Sequence, residues 1–118
     1  MTDILINSDH GANNVAKATV PFIVAGASSA REGQTAMFLT HDAIYMAAKG
    51  GADGLQADGY KPVKELVEAY IANGGIIWVC KACADAKGLT AADLIEGAEL
   101  GGAGHTLGFI DNGGQVLM

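Results

Sequence analysis

Charge is scarce in this chain, and positive charge scarcest. Only 17% of the 118 residues are Asp, Glu, Lys or Arg, and seven Lys or Arg stand against thirteen Asp or Glu, for a net charge of -6. The basic residues are scattered. Sequence-independent binding to nucleic acid or to anionic lipid needs a positive face, so neither partner is expected. Long hydrophobic runs are missing too: the longest uncharged stretch, Ala18–Ala30, has thirteen residues and contains Pro21, too short to cross a bilayer. Aromatic residues make up 6% of a chain that is 50% hydrophobic, so the core must be built mainly from Ala, Val, Ile and Leu. Two prolines against seventeen glycines suit short connections between regular elements. The opening Met1-Thr2-Asp3 has neither the basic nor the apolar segment of a signal peptide, so a cytosolic location is expected. Thiols are kept reduced there, and the only two cysteines, Cys80 and Cys83, read as working thiols or buried side chains rather than a structural disulfide.

What is present is an alternation of strand-length apolar runs with segments of helical period, in a length that suits one domain over residues 1–118. "DILINS" (3–8) predicts a first strand. In 13–32, Val15, Ala18, Thr19, Phe22 and Ile23 recur at helical spacing before Gly33, and Pro21 is expected to kink that helix or break it in two. "QTAMFLT" (34–40) predicts a second strand, 41–51 a short helix ending in a glycine pair, and 52–60 a loop with two Asp-Gly steps. Pro62 then opens the clearest helix, with Val63, Leu66, Val67, Tyr70 and Ile71 in one stripe and Gly74 at its end.

"IIWVC" (76–80) is apolar without alternation, as a strand buried on both faces of a parallel sheet reads. Beyond it lie a helical turn at 81–87, Thr90 as an N-cap for 91–96, an extended piece at 98–100, a glycine-broken helix at 102–111 and a last strand at 115–118. The pattern predicts a three-layer α/β/α sandwich around a mostly parallel sheet of about five strands.

That architecture gives Cys80 an address. Ligand crevices of open parallel sheets lie beyond the carboxyl ends of the strands, and Cys80 ends its strand and opens the next helical turn. The positive end of that turn, with Lys81 adding to it and Asp85 weakly opposing, favours thiolate over thiol. Cys83, three residues on, shares a helix face with Cys80 and is placed to resolve, to relay, or merely to pack. His10 follows the first strand and His41 the second, so both border the same rim as possible crevice residues; His105 follows the extended piece. For each histidine taken alone, capping or plain exposure is the favoured reading. Asp9 and Asp42 read as caps or loop residues, and Trp78 as core.

One CxxC and three scattered histidines do not supply the four ligands of a structural zinc site, so no metal is expected. "GGAGHTLG" (101–108) has Leu107 where a dinucleotide-binding motif needs its third glycine, so no nucleotide cofactor is expected either. A thioredoxin-type dithiol would normally face a cis-proline, and Pro21 and Pro62 both read as helix residues. Two inert buried cysteines remain the plain structural reading.

"VCKACADAKGL" (79–89) resembles the signature of the DsrE/DsrF-like sulfur-relay family, in which a cysteine ends a central strand and a basic-Gly pair closes the helix that follows. Those positions are Cys80, Lys87 and Gly88; Cys83 matches the second cysteine of a subset, and "LIEGAELGGA" (94–103) also fits the small members. The resemblance implies a compact parallel α/β fold, trimers or hexamers, no cofactor, and sulfane sulfur carried as a persulfide on Cys80. Sulfur donor and acceptor proteins are not named by it. The expected function is thus a sulfur-relay protein or sulfurtransferase. The alternatives are a CxxC dithiol–disulfide oxidoreductase and a non-catalytic oligomeric ligand-binding or regulatory module.

Overall fold

In the computed structural model, which describes all of residues 1–118, five parallel strands form one sheet in the order β4-β3-β2-β1-β5. They are β1 (Ile4–Ser8), β2 (Thr35–Leu39), β3 (Ile76–Cys80), β4 (Ala98–Gly101) and β5 (Gln115–Val116). The first four are laid down in one direction; the chain then returns to pair β5 with the other side of β1. The register aligns Ser8 with Leu39, Leu39 with Val79, and Cys80 with Gly101, so the strands end together along one edge.

Alternation along the strands divides the core. Ile6, Met37, Leu39, Ile77 and Val79 point to the face covered by α1 (Val15–Ser29) and α2 (Val63–Ala72), which bury Ala18, Phe22, Ala25, Val63, Val67 and Tyr70 against it. Leu5, Ala36 and Trp78 point the other way and meet Phe109 of α4 (Ala103–Asp111). Helices on both faces make the expected three-layer sandwich, with unequal outer layers. The hydroxyl of fully buried Tyr70 lies 2.7 Å from the Ile76 carbonyl and 3.0 Å from that of Thr35, tying the starts of β2 and β3 to α2.

Several elements depart from expectation. Helix α1 runs through Pro21 as one element. Ala18, Phe22 and Ala25 are wholly buried on either side of the proline, and this packing holds the backbone helical where one N–H is missing. The segment after β2 is a 3-10 helix, His41–Ala47, that stops before the glycine pair. Ala48 leaves it extended to bridge Leu94, and the Ile95 N–H reaches the Ala47 carbonyl at 2.8 Å. The turn after Thr90 covers only Ala91–Asp93, and α4 is unbroken by its glycines. No helix is long and apolar enough to cross a membrane.

Candidate active site at the carboxyl edge of the sheet

Cys80 is the last residue of β3, an inner strand bonded on both sides, and the N-cap of α3 (Lys81–Lys87). The reversal from strand to helix turns the chain so that the Cys83 N–H donates to Cys80 Sγ at 3.4 Å. Cys80 Sγ thus takes the place that a capping oxygen holds at a helix N-terminus. Both cysteines are free thiols and both are half-buried. Gly88 ends α3 at a φ of +75°, which a residue with a Cβ adopts only with strain.

The two thiols differ in surroundings. Cys83 faces the α1/α2 side, packs against the main core and accepts the His41 N–H at 3.4 Å. Burial raises its pKa, and the neighbouring Cys80 sulfur raises it further; the His41 N–H and the Lys87 charge pull the other way without cancelling the rise. Cys83 therefore holds its proton more firmly than an ordinary thiol. His41 supplies this contact from a φ of +50°, the one residue other than glycine in the left-handed region.

Lys87 Nζ reaches Asp42 Oδ1 at 3.2 Å and lies 5.8 Å above the Tyr45 ring, joining the end of α3 to the 3-10 helix. Lys81 pairs with Asp85 at 2.8 Å, so its charge is shared with that carboxylate rather than given to Cys80 alone.

Of the predicted rim residues, Cys80, Cys83 and His41 come together, His41 through its backbone. His10 does not join them. It follows β1, two strands from Cys80, holds Asp9 Oδ1 through Nδ1 at 2.7 Å, and lines a separate cleft with Ser8, Lys17, Pro21 and Met118. No three His, Cys, Asp or Glu side chains group so as to hold a metal ion. A residue not assigned to the rim from sequence, His105, packs its ring 5.2 Å from that of Trp78 beside the last residue of β4.

Structural comparison recovers the same fold in YchN from Escherichia coli (TM-score 0.72, 19% identity, 99% of this chain and 98% of that one). MTH1491 of Methanobacterium thermoautotrophicum, a protein of unknown function, matches with a TM-score of 0.71 at 13% identity over 99% of this chain and 98% of that one. At these identities the likeness is one of fold. Among curated proteins, the uncharacterized MJ0760 of Methanocaldococcus jannaschii is 27% identical over 108 residues, 92% of this chain. The chain spans 39% of that relative's length. The model of the DsrE/DsrF-like family matches residues 3–118, and the chain belongs to that family.

Proposed function

We propose that the protein is a sulfur-relay carrier that holds sulfane sulfur as a persulfide on Cys80. The observation that carries the reading is the setting of Cys80: a half-exposed sulfur at the carboxyl edge of an inner strand, receiving the Cys83 N–H. The thiolate attacks the outer sulfur of a donor. As the new S–S bond forms, the donor's bond breaks, and its electron pair departs on the donor thiolate or, from thiosulfate, on sulfite. No external oxidant is needed. Delivery is the same exchange with an acceptor thiolate attacking the outer sulfur. Cys83, the firmer holder of its proton, is the auxiliary thiol. The chemistry suits a reducing, cytoplasmic compartment. A homo-oligomer, trimer or hexamer, is part of the proposal; it would cover the exposed Leu107, Ile110, Val116 and Leu117.

A second reading has its own support. Because the charge of Cys80 bears directly on the Cys83 thiol, the pair could also cycle between dithiol and disulfide. Intact mass spectrometry of the reduced protein after brief exposure to polysulfide or thiosulfate separates the two. A gain of about 32 Da per sulfur, absent in Cys80→Ser, is expected for the carrier. Loss of two hydrogens without retained sulfur would replace it with the oxidoreductase, and unchanged thiols would refute both.

A further inference from the structure

We infer that the cleft at the carboxyl end of β1 is a binding site for a small organic monocarboxylate, separate from Cys80. The inference is independent of the carrier reading. Strand β1 is where the strand order reverses: it pairs with β2 on one side and with β5 on the other. The chain leaves β1 into α1 on one face, whereas α4, on the opposite face, leads into β5. In open parallel sheets such a switch point parts the connections and leaves a crevice beyond the strand ends. Here the crevice has a volume of about 390 Å³ and is lined by Ser8, Asp9 and His10, by Lys17 and Pro21 of α1, and by Met118. Met118 is held against β1, its backbone oxygen accepting the Asn7 N–H at 2.9 Å and Asn7 Nδ2 at 2.8 Å. The volume lies at the small end of the usual range for ligand sites, about 300–1,000 Å³.

Ser8 brings to this cleft a polar group with no partner. The residue is 3% exposed, and its Oγ makes no hydrogen bond within the protein. Strand alternation sends its side chain, like that of Ile6, to the α1 face, the side on which Lys17 and Pro21 wall the cleft. A buried hydroxyl without a partner costs stability. Its place in a cleft wall points to a polar group that the chain itself does not provide.

The neighbouring donors fix the charge of that group. Lys17 has no carboxylate within salt-bridge reach. Asn14 Oδ1 caps α1 by accepting the Lys17 N–H at 3.2 Å, which leaves the Ala16 N–H, in the first turn, without an intrahelical acceptor. Ala16 and Lys17 both line the cleft, so the positive end of α1 and the Lys17 charge act together on an anion. Asp9 is the one acidic side chain in the lining; it stands 63% exposed and accepts the His10 Nδ1–H at 2.7 Å. One unpaired cation beside one engaged carboxylate suits a single negative charge rather than a phosphate dianion. Val20, Pro21 and Met118 supply an apolar wall for a short hydrocarbon body.

The test titrates the full isotope-labelled chain with sodium isobutyrate at neutral pH and follows its amide resonances. Isobutyramide serves as the uncharged isostere and inorganic phosphate as the more highly charged anion. Saturable shifts centred on Ser8, His10, Ala16 and Lys17 are expected for the carboxylate. Isobutyramide is expected to bind at least about tenfold more weakly, and Lys17→Met to weaken isobutyrate as much, because each change removes a charge-assisted hydrogen bond. Ser8→Ala separates a ligand contact from a packing role. It is expected to weaken isobutyrate about threefold to tenfold and yet, without ligand, to match or exceed the parent in thermal midpoint, since an unsatisfied hydroxyl is removed. Shifts that do not saturate, equal affinity for amide and carboxylate, or tighter binding of phosphate would each overturn the inference. So would a Ser8→Ala chain that melts earlier and binds isobutyrate as the parent does. Lys17 lies by β1, two strands from Cys80, so Lys17→Met is expected to load sulfur at the parental rate, and the two readings fail separately.

Discussion

His41 and Cys83 meet through a backbone hydrogen bond: the His41 N–H points at Cys83 Sγ from 3.4 Å, and His41 holds a φ of +50° where it does so. The contact needs the backbone of residue 41 and not its imidazole. His41→Gly is accordingly expected to keep sulfur loading. It should match the parent in stability or exceed it by up to about 1 kcal/mol, the left-handed strain relieved being offset by the freedom glycine gains when unfolded. His41→Val should be destabilised by at least about 1 kcal/mol, because a β-branched side chain tolerates that backbone worst. Thermal melts of the two variants check both.

The raised pKa of Cys83 orders the two thiols. Limiting iodoacetamide at neutral pH is expected to mark Cys80 first, with Cys83 following only in alkaline solution, as peptide mapping would read. The sign for stability follows from the same shift. A thiol that keeps its proton in the fold stabilises it fully below the unfolded-state pKa, and that contribution is lost as pH rises through the folded one. Replacing Cys83 by Ala should therefore flatten the alkaline fall in stability; a fall of unchanged steepness would count against the assignment.

The hydroxyl of buried Tyr70 lies within hydrogen-bond reach of the Ile76 and Thr35 carbonyls. Burial also pushes its phenol far above the usual range, so it stays protonated throughout the ordinary pH scale. Tyr70→Phe removes the one O–H shared between the Ile76 and Thr35 carbonyls and is expected to cost about 1–3 kcal/mol in denaturant unfolding. Gly75→Ala should be comparably harmful, since its Cβ would fall 2.3 Å from the Tyr70 ring.

Gly11 is where the loop after β1 presses on the 3-10 helix, and a Cβ there would sit 2.3 Å from the Asp42 carbonyl oxygen. Because the obstacle is backbone, Gly11→Ala must move the start of that helix, and with it the His41 N–H. Lower stability and faster alkylation of Cys83 are expected together. A destabilised variant whose Cys83 alkylates at the parental rate would uncouple the two.

What the sequence disclosed follows the range of the interactions concerned. Strand β3 and helix α2 were legible because local pattern decides them: an unbroken apolar run in one, and in the other a stripe of Val63, Val67 and Tyr70 opened by Pro62. Around Pro21 the choice between a kink and a break was not legible: the packing of Phe22 and Ala25, which keeps α1 one helix, lies outside any local rule. The 3-10 helix ended early because Ala48 pairs with Leu94, far along the chain. At the site, a cysteine closing an apolar strand was visible. The contact of the His41 N–H with Cys83 was not, since it joins residues 42 positions apart in the chain. His10 and His41 looked equivalent until strand order separated them.

The placement of Cys80 on β3 also bears on motion. Strand β3 is hydrogen-bonded to β2 and β4 and carries Ile77, Trp78 and Val79, all buried. Amides in such a strand exchange with solvent only when most of the molecule opens, whereas β5, two residues long at the far edge, can fray on its own. The sulfur attached to Cys80 is thus anchored to the slowest-opening part of the protein. It cannot swing out on a flexible arm, so whatever gives or takes it must bring its own reach.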